Sequence, residues 1–554
     1  MTTPYYITTP IYYVNDRPHI GHCYTTLVAD VAARFARLRG LDTFFLTGTD
    51  EHAEKVSKTA AERGHTPLEW ATINAERFQQ AFADMNFSHD DFVRTTEDRH
   101  KDKATAYIQK LLDSGDIELG DYSGWYDPSQ EEYLTETVAK EHNFLSPVTG
   151  KPLEQRTEQN YFFRLDKYED WLKARIESGE LRILPEARKN EVMGRIRQGL
   201  QKVPVSRRIK EGDADWGVVM PGDPEHRVYV WIEALCNYLT TVDTDDRRQY
   251  WPGDAPLAVH MMAKDILWFH AVIWPCMLHA LGEQPPATVY AHAYFIAEGR
   301  KMSKSLGNFI EIDTLLAYAE RYSLDAVRWY LATQGPLGAN DADWAYDRFV
   351  EVFNADLGNG IGNASSRVGG MINKYFGGTV PDPKGTDSVV PGDFDWPREI
   401  QATVAQALEY HDDLKLDQAL RLGLDLASRV DAYINVTEPF RLAKKLDEDP
   451  GNPPTNKDKL AAILYHCAEA VRVASLLLAP ALPEKMAELW RNWNCNHLTD
   501  AADPNSGFVA PLEELTRWGG AYALKPGQGL AKGDILFLTQ RDELPAPEAA
   551  AQAN

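Results

Sequence analysis

The chain has 554 residues, 44% apolar and 11% aromatic, enough to bury several hydrophobic cores and to divide into three or four domains. No apolar run reaches the roughly 18 residues of a membrane span, no charged-then-apolar leader precedes Pro4, and the five cysteines (Cys23, Cys236, Cys276, Cys467, Cys495) lack the C-x-x-C spacing of a disulfide or zinc framework; a reduced, cytoplasmic protein with no membrane partner is expected. A net charge of −24 excludes a uniformly basic nucleic-acid binder but leaves room for a local cationic surface.

Residues 1–116 alternate short β-rich runs (Tyr5–Ile7, Thr43–Leu46) with helical stretches (Leu27–Leu38, Ala53–Arg63), the pattern of a βαβ sheet with its ligand at the carboxyl ends of the strands. The absence of G-x-G-x-x-G argues against dinucleotide binding of the usual kind. Thr8–Val14 runs from a strand into a loop, and Pro18-His19-Ile20-Gly21-His22 then falls at a helix start. Helix N-terminal amides favour phosphate, Gly21 lets a ligand approach the backbone, and His19 and His22, at i and i+3, can donate to oxygens on a pentavalent phosphorus. Metal ligation and simple helix capping are the alternatives, and no third ligand lies close in sequence.

Residues 117–227 are rich in glycine, proline and charge and read as an insertion. Nine basic residues (Arg182, Arg188, Lys189, Arg195, Arg197, Lys202, Arg207, Arg208 and Lys210) face only Glu186 and Glu191, giving either a local cationic surface for a structured RNA or a solvated helix face. Sheet-forming sequence resumes over 228–298, at Val228–Trp231, Pro256–His260 and Thr288–His292, so a split nucleotide-binding domain is predicted. Residues 299–348 open on Lys301-Met302-Ser303-Lys304-Ser305, two lysines three apart with a hydroxyl beside each. Taken alone they could be a solvated basic turn; beside the distant histidine motif they read as mobile donors to a polyphosphate in one shared site.

From 349 to 515 the periodicity is helical, over Phe349–Tyr375, Arg398–Tyr410, Leu416–Asn435 and Lys457–Leu478, with a Gly/Pro/Asp-rich connection at Gly377–Pro397. A C-terminal extension, 516–554, ends in a segment from Arg541 that reads as disordered. The predicted fold class is α/β: a Rossmann-like parallel sheet split by a connective insertion, followed by an α-helical bundle.

His19-Ile20-Gly21-His22 and Lys301–Ser305 match the two signatures of class I aminoacyl-tRNA synthetases. From Tyr5 to about Phe537 the chain resembles the methionyl-tRNA synthetase family, through Thr9-Pro10-Ile11-Tyr12-Tyr13-Val14-Asn15, Gly48-Thr49-Asp50-Glu51-His52, Val230-Trp231-Ile232-Glu233-Ala234, Lys264-Asp265-Ile266 and Phe269-His270. The resemblance implies a methionine–tRNA ligase that forms methionyl-adenylate from L-methionine and ATP with Mg²⁺ and transfers methionine to tRNA(Met), the initiator included. His19, Gly21, His22, Asp265 and Lys304 would bind ATP, with His19, His22, Lys301 and Lys304 acting in catalysis. Ile11, Tyr13, Trp231, Ala234, Leu235, Tyr238, Ile266, His270 and Trp274 form an apolar and aromatic set suited to a flexible thioether, and Asp50 would hold the α-ammonium. Leu235 departs from the proline of some relatives, and Arg207 matches a residue with a structural or gating role. Asn363 and Arg367 would read anticodon bases, with Phe440 a smaller stacking ring than the family's tryptophan; a core position is the alternative for Phe440.

The connective insertion of relatives commonly holds zinc on C-x-x-C knuckles, but this chain has no cysteine between Cys23 and Cys236, so no structural zinc is expected. Without an appended oligonucleotide-binding barrel a monomer is expected. Two other readings stay open: a different class I synthetase, against which the short insertion and missing substrate-site thiols argue, and a non-catalytic RNA-binding paralogue, against which the intact signatures argue.

Overall fold

Six parallel strands form the central sheet: β1 (Pro4–Tyr13), β2 (Asp42–Asp50), β3 (Asp91–Arg94), β4 (Arg182–Leu184), β5 (Ala258–Ala263) and β6 (Thr288–His292), in the order β3-β2-β1-β5-β6-β4. The computed structural model describes residues 3–14, 17–128, 132–134, 136–209, 214–251, 257–297, 299–302, 308–384, 391–448, 454–503 and 506–539. Lys210, Lys304 and the tail expected to be disordered lie outside them.

The strands are rich in β-branched and aromatic residues and are buried on both faces, as parallel sheets require. Successive residues of β1 serve opposite cores: Tyr6 packs with Leu46 and Trp274 on one face, and Ile7 with the long first helix, α1 (Ile20–Leu38), on the other. The chain leaves β1 towards β2 on one side and later supplies β5 on the other, so the strand order reverses between β1 and β5. A crevice at the carboxyl ends of the strands opens at such a switch point.

The span expected as an insertion, 117–227, builds two antiparallel sheets. One joins Ile117–Asp127, Glu132–Leu134, Glu154–Phe163 and Val203–Pro204; the other joins Ser206–Arg208, Val219–Met220 and Asp223–Val228. Between them β4 returns to the central sheet, pairing in parallel with β6. In place of thiolates the outer part of the insertion has a small apolar core of Leu134, Ala139 and Leu153 with Trp125 against it, and the Trp125 and Phe144 rings lie 4.5 Å apart. Ser146 Oγ accepts from the Val148 and Thr149 amides, and the Gly150 amide donates to the Ser146 carbonyl, closing a tight turn.

The helical region contains α2 (Asn363–Phe376), α3 (Trp396–Asp412), α4 (Leu416–Thr437), α5 (Asn456–Leu478) and α6 (Pro483–Asn492). By length and composition α5 is apolar enough to cross a membrane, which the sequence reading had not credited to any run, but its most apolar stretch is wholly buried in the bundle. At its middle Arg472 donates to both oxygens of Glu469, an ion pair closed to solvent. The segment 516–539 folds back onto the bundle, burying Leu524, Leu530, Leu536 and Phe537.

Arg328, fully buried, joins the catalytic and helical regions. It donates to the carboxylate of Asp30 on α1 and to the carbonyls of Met85, Asn86, Pro480 and Ala481. Burial works to raise the Asp30 carboxyl, and Arg34 and Arg328 overcome it, holding Asp30 well below the usual carboxylate range.

Candidate active site

The start of α1 is built by reciprocal capping. His19 is the N-cap in an extended conformation; its Nδ1 accepts from the Gly21 amide at 3.0 Å, and His22 Nδ1 accepts from the His19 amide at 3.3 Å. The capping alternative raised from sequence is therefore real, and it occupies both Nδ1 atoms. With both Nδ1 atoms accepting, the proton of each neutral ring sits on Nε2 as a donor. The rings stack with centroids 3.8 Å apart, and burial, then His19, holds the His22 pKa well below 6.5, so His22 is a neutral donor. A Cβ on Gly21 would lie 2.9 Å from His19 Cε1, so a larger residue here would press on the neighbouring imidazole.

The second signature is brought to the same place through its flank. His19 forms a β-bridge with Glu311, the Ile20 amide donates to the Ile310 carbonyl at 3.0 Å, and the Phe309 ring meets His19 edge-on at 4.9 Å. Upstream, the Lys301 backbone pairs with Ile296. Lys304 and the side chain of Lys301 lie outside the described part of the structure.

Beside this anchor the strand ends gather the remaining residues. Register places Ile11 opposite Gly48 and Tyr13 opposite Asp50, which is buried at the end of β2. A Cβ on Gly48 would sit 2.0 Å from the Val93 carbonyl, so only glycine allows β2 and β3 to approach there. Tyr13 meets Trp231 edge-on at 5.4 Å, and Trp231 stacks on Phe269 at 4.5 Å. Trp231, Ala234 and Leu235 share the helix Val230–Leu235. Tyr238 donates its hydroxyl to His270 Nε2 at 2.8 Å, while His270 Nδ1 donates to the Ile266 carbonyl at 2.9 Å. That pairing assigns the His270 tautomer, and burial lowers its pKa to about 4. Trp274 is fully buried beside Tyr238, at the back of the set. Phe269 and His270 lie on a π-helical turn, Phe269–Ile273, a widening that recurs at functional sites.

Asp265 follows β5 in a short 3-10 turn, Lys264–Ile266, where it is exposed. Lys264 pairs with Asp341 at 2.7 Å and lies over the Tyr294 ring.

Residues without an assigned role, together with Arg207, support this arrangement. Glu233 is buried with one oxygen 2.8 Å from His52 Nδ1 and the other 2.8 Å from His100 Nε2. Trp216, from the insertion, donates to the Glu51 carbonyl and packs against His52; Arg207 donates to the Trp216 carbonyl. Phe269, Glu233 and His52 all sit inside quoted motifs; burial marks Glu233 and His52, and the stack on Trp231 marks Phe269.

The basic stretch is largely paired within the protein. Arg182 meets Asp413, Arg188 meets Glu191, Lys202 meets Glu118 and Arg208 meets Glu225, while Arg195 lies over the Trp268 ring.

In the bundle, Asn363 and Arg367 both reach Asp431 on α4, at 3.1 and 2.5 Å. Phe440 is 40% exposed on the short helix Pro439–Leu442, which removes the core alternative.

Residues 5–143 and 140–369 match the family model of class I tRNA synthetases (M). The chain is 38% identical over 97% of its length to the methionine–tRNA ligase of Caldanaerobacter subterraneus subsp. tengcongensis, covering 79% of that protein. It is 41% identical over 87% of its length to that of Bacillus subtilis, covering 72%. The solved structure of Mycobacterium tuberculosis methionyl-tRNA synthetase with methionyl-adenylate matches with a TM-score of 0.81 and 33% identity, over 97% of this chain and 100% of that one.

Proposed function

The chain belongs to the methionine branch of the class I tRNA synthetases and joins methionine to tRNA through an adenylate made from ATP, and from that premise we propose which of its residues carry the reaction. The observation that supports the assignment best is the convergence of the Tyr13–Asp50 strand ends, the Trp231–Phe269 stack and the His19–His22 helix start at one strand-order reversal.

Methionine lies with its α-ammonium on Asp50 and its side chain among Ile11, Tyr13, Trp231, Ala234, Leu235, Tyr238, Ile266, His270 and Trp274. An anionic carboxylate matches the amine in charge and fixes its direction, while polarisable sulfur gains from ring contacts. Tyr238 and His270 satisfy each other, so neither competes for the substrate as an unpaired polar group.

ATP lies with its triphosphate against the α1 N-terminus and its ribose near Asp265. The methionine carboxylate attacks the α-phosphorus in line and pyrophosphate leaves. Neutral His19 and His22 donate from Nε2 to the phosphate oxygens on one side, and Lys301 and Lys304 neutralise the departing pyrophosphate on the other. The tRNA 3′-terminal hydroxyl then attacks the acyl carbon, releasing AMP. Mg²⁺ bound with ATP would neutralise part of the triphosphate charge as pyrophosphate leaves.

Asn363, Arg367 and Phe440 read the anticodon of tRNA(Met), initiator and elongator alike, in the cytoplasm. Asp431 holds the first two in one orientation. The test is charging of a tRNA(Met) transcript with labelled methionine. Charging that vanishes when the anticodon is changed is expected; equal charging of an unrelated anticodon would contradict the reading.

A further inference from the structure

The loop Glu51–Ala53 connects β2 to the helix Glu54–Glu62 without regular hydrogen bonding of its own, yet it carries the backbone that follows Asp50. It is fastened in three directions. Towards β3, the Glu51 carboxylate accepts from Arg94 at 2.7 Å and from Thr96 at 2.5 Å. Towards the insertion, Trp216 Nε1 donates to the Glu51 carbonyl at 2.8 Å. Towards the helix Val230–Leu235, His52 Nδ1 donates to Glu233 Oε1 at 2.8 Å.

Only the third tie joins the Asp50 segment to the helix that carries Trp231. Glu233 is wholly buried, and its second oxygen accepts from His100 Nε2, whose other ring nitrogen meets the Thr240 hydroxyl at 3.0 Å. A carboxylate can only accept, so both facing nitrogens must be donors and both rings are fixed in orientation. Burial works to raise the Glu233 carboxyl, and His52 and His100 overcome it, holding it below the usual carboxylate range. The charge is therefore present throughout the neutral range, held by two donors where an unpaired one would be costly.

We propose that Glu233 is a positioning residue for the amino-acid substrate: clamped between His52 and His100, it sets the separation between the Asp50 carboxylate and the Trp231 ring, and so the span from ammonium to thioether that the site accepts. This rests on the assignment of Asp50 and Trp231 as methionine contacts. Methionine has several rotatable bonds, and a site that fixes both ends selects its extended length; a shift of about 1 Å can cost up to about 10²-fold in rate or binding.

Glu233→Gln keeps the volume but replaces one acceptor oxygen by an N–H that confronts a donor nitrogen. In methionine-dependent ATP–pyrophosphate exchange it is expected to raise the methionine KM about tenfold with the ATP KM within about twofold of the parent. Glu233→Asp, which retains the charge but reaches one ring, is expected between the two. Asp30→Asn controls for stability: it weakens a buried carboxylate held by Arg328, remote from the clamp, and lowers the melting temperature without a selective methionine effect.

Unchanged methionine KM in folded Glu233→Gln, or methionine and ATP KM rising together, overturns the proposal. Should Glu233→Gln fail to fold, Glu233→Asp decides it by the same KM split. Asp50→Ala separates the two levels: if it leaves methionine KM unchanged the site assignment itself fails, and if it raises KM while the Glu233 variants do not, only the clamp fails.

Discussion

His19 and Glu311 form a β-bridge, and through it the capped start of α1 is locked to the chain that follows the Lys301–Ser305 motif. Two motifs nearly three hundred residues apart in sequence thereby share one scaffold. The chain at Phe309–Glu311, just beyond the second motif, is thereby fixed to the start of α1.

Lys304→Ala should therefore act on the chemical step. In pyrophosphate exchange kcat is expected to fall by roughly 10²–10³-fold, the range for losing one charge-stabilising donor, with methionine KM nearly unchanged. A raised methionine KM with unaltered kcat would contradict the assignment.

Tyr238→Phe removes the hydroxyl that donates to His270 and leaves a buried ring nitrogen unpaired. A loss of about 1–3 kcal/mol is expected, divided between stability and methionine affinity. Isothermal titration with a non-reactive methionine analogue and thermal melting would measure the two parts; no change in either would show that another group satisfies the nitrogen.

Arg367→Gln should separate the two halves of the reaction. Pyrophosphate exchange is expected to stay within about twofold of the parent, since the residue lies in the bundle, while the tRNA KM in charging rises at least about tenfold, the effect of losing a charge-assisted contact. Equal charging by the variant would exclude Arg367 from anticodon recognition.

Burial lowers the pKa values of His270, His292 and His411 to about 4 from 6.5, with Arg39 adding to the effect at His411. Between those values the unfolded chain binds more protons than the fold, so stability is complete above about pH 6.5 and falls as the pH drops towards 4, by at most about 1.4 kcal/mol per pH unit for each ring. The melting temperature should begin to decline below pH 6.5, above the carboxylate range. A flat profile down to pH 5 would contradict neutral burial of these rings.

Much of the catalytic architecture was legible because its motifs carry their own chemistry. The histidine pair pointed to phosphate, a metal or a helix cap, and Tyr5–Ile7 and Thr43–Leu46 foretold adjacent strands, which extend in the structure to Pro4–Tyr13 and Asp42–Asp50. The strand Arg182–Leu184 was hidden because three residues in a charged stretch carry no periodicity, and its place depends on pairing with distant Thr288–Tyr290. Glu233 was hidden for a related reason: an acidic residue in a helix reads as solvent-facing until His52 and His100 arrive from other elements. The pairing of the basic run was not legible either, because Glu118, Asp413 and Trp268, which meet Lys202, Arg182 and Arg195, are remote in sequence.

The most direct measurement is ATP–pyrophosphate exchange by the full chain against each of the twenty amino acids. Exchange with methionine alone is the predicted result. Exchange absent with every amino acid, or stronger with another, would contradict the assignment of this site to methionine activation.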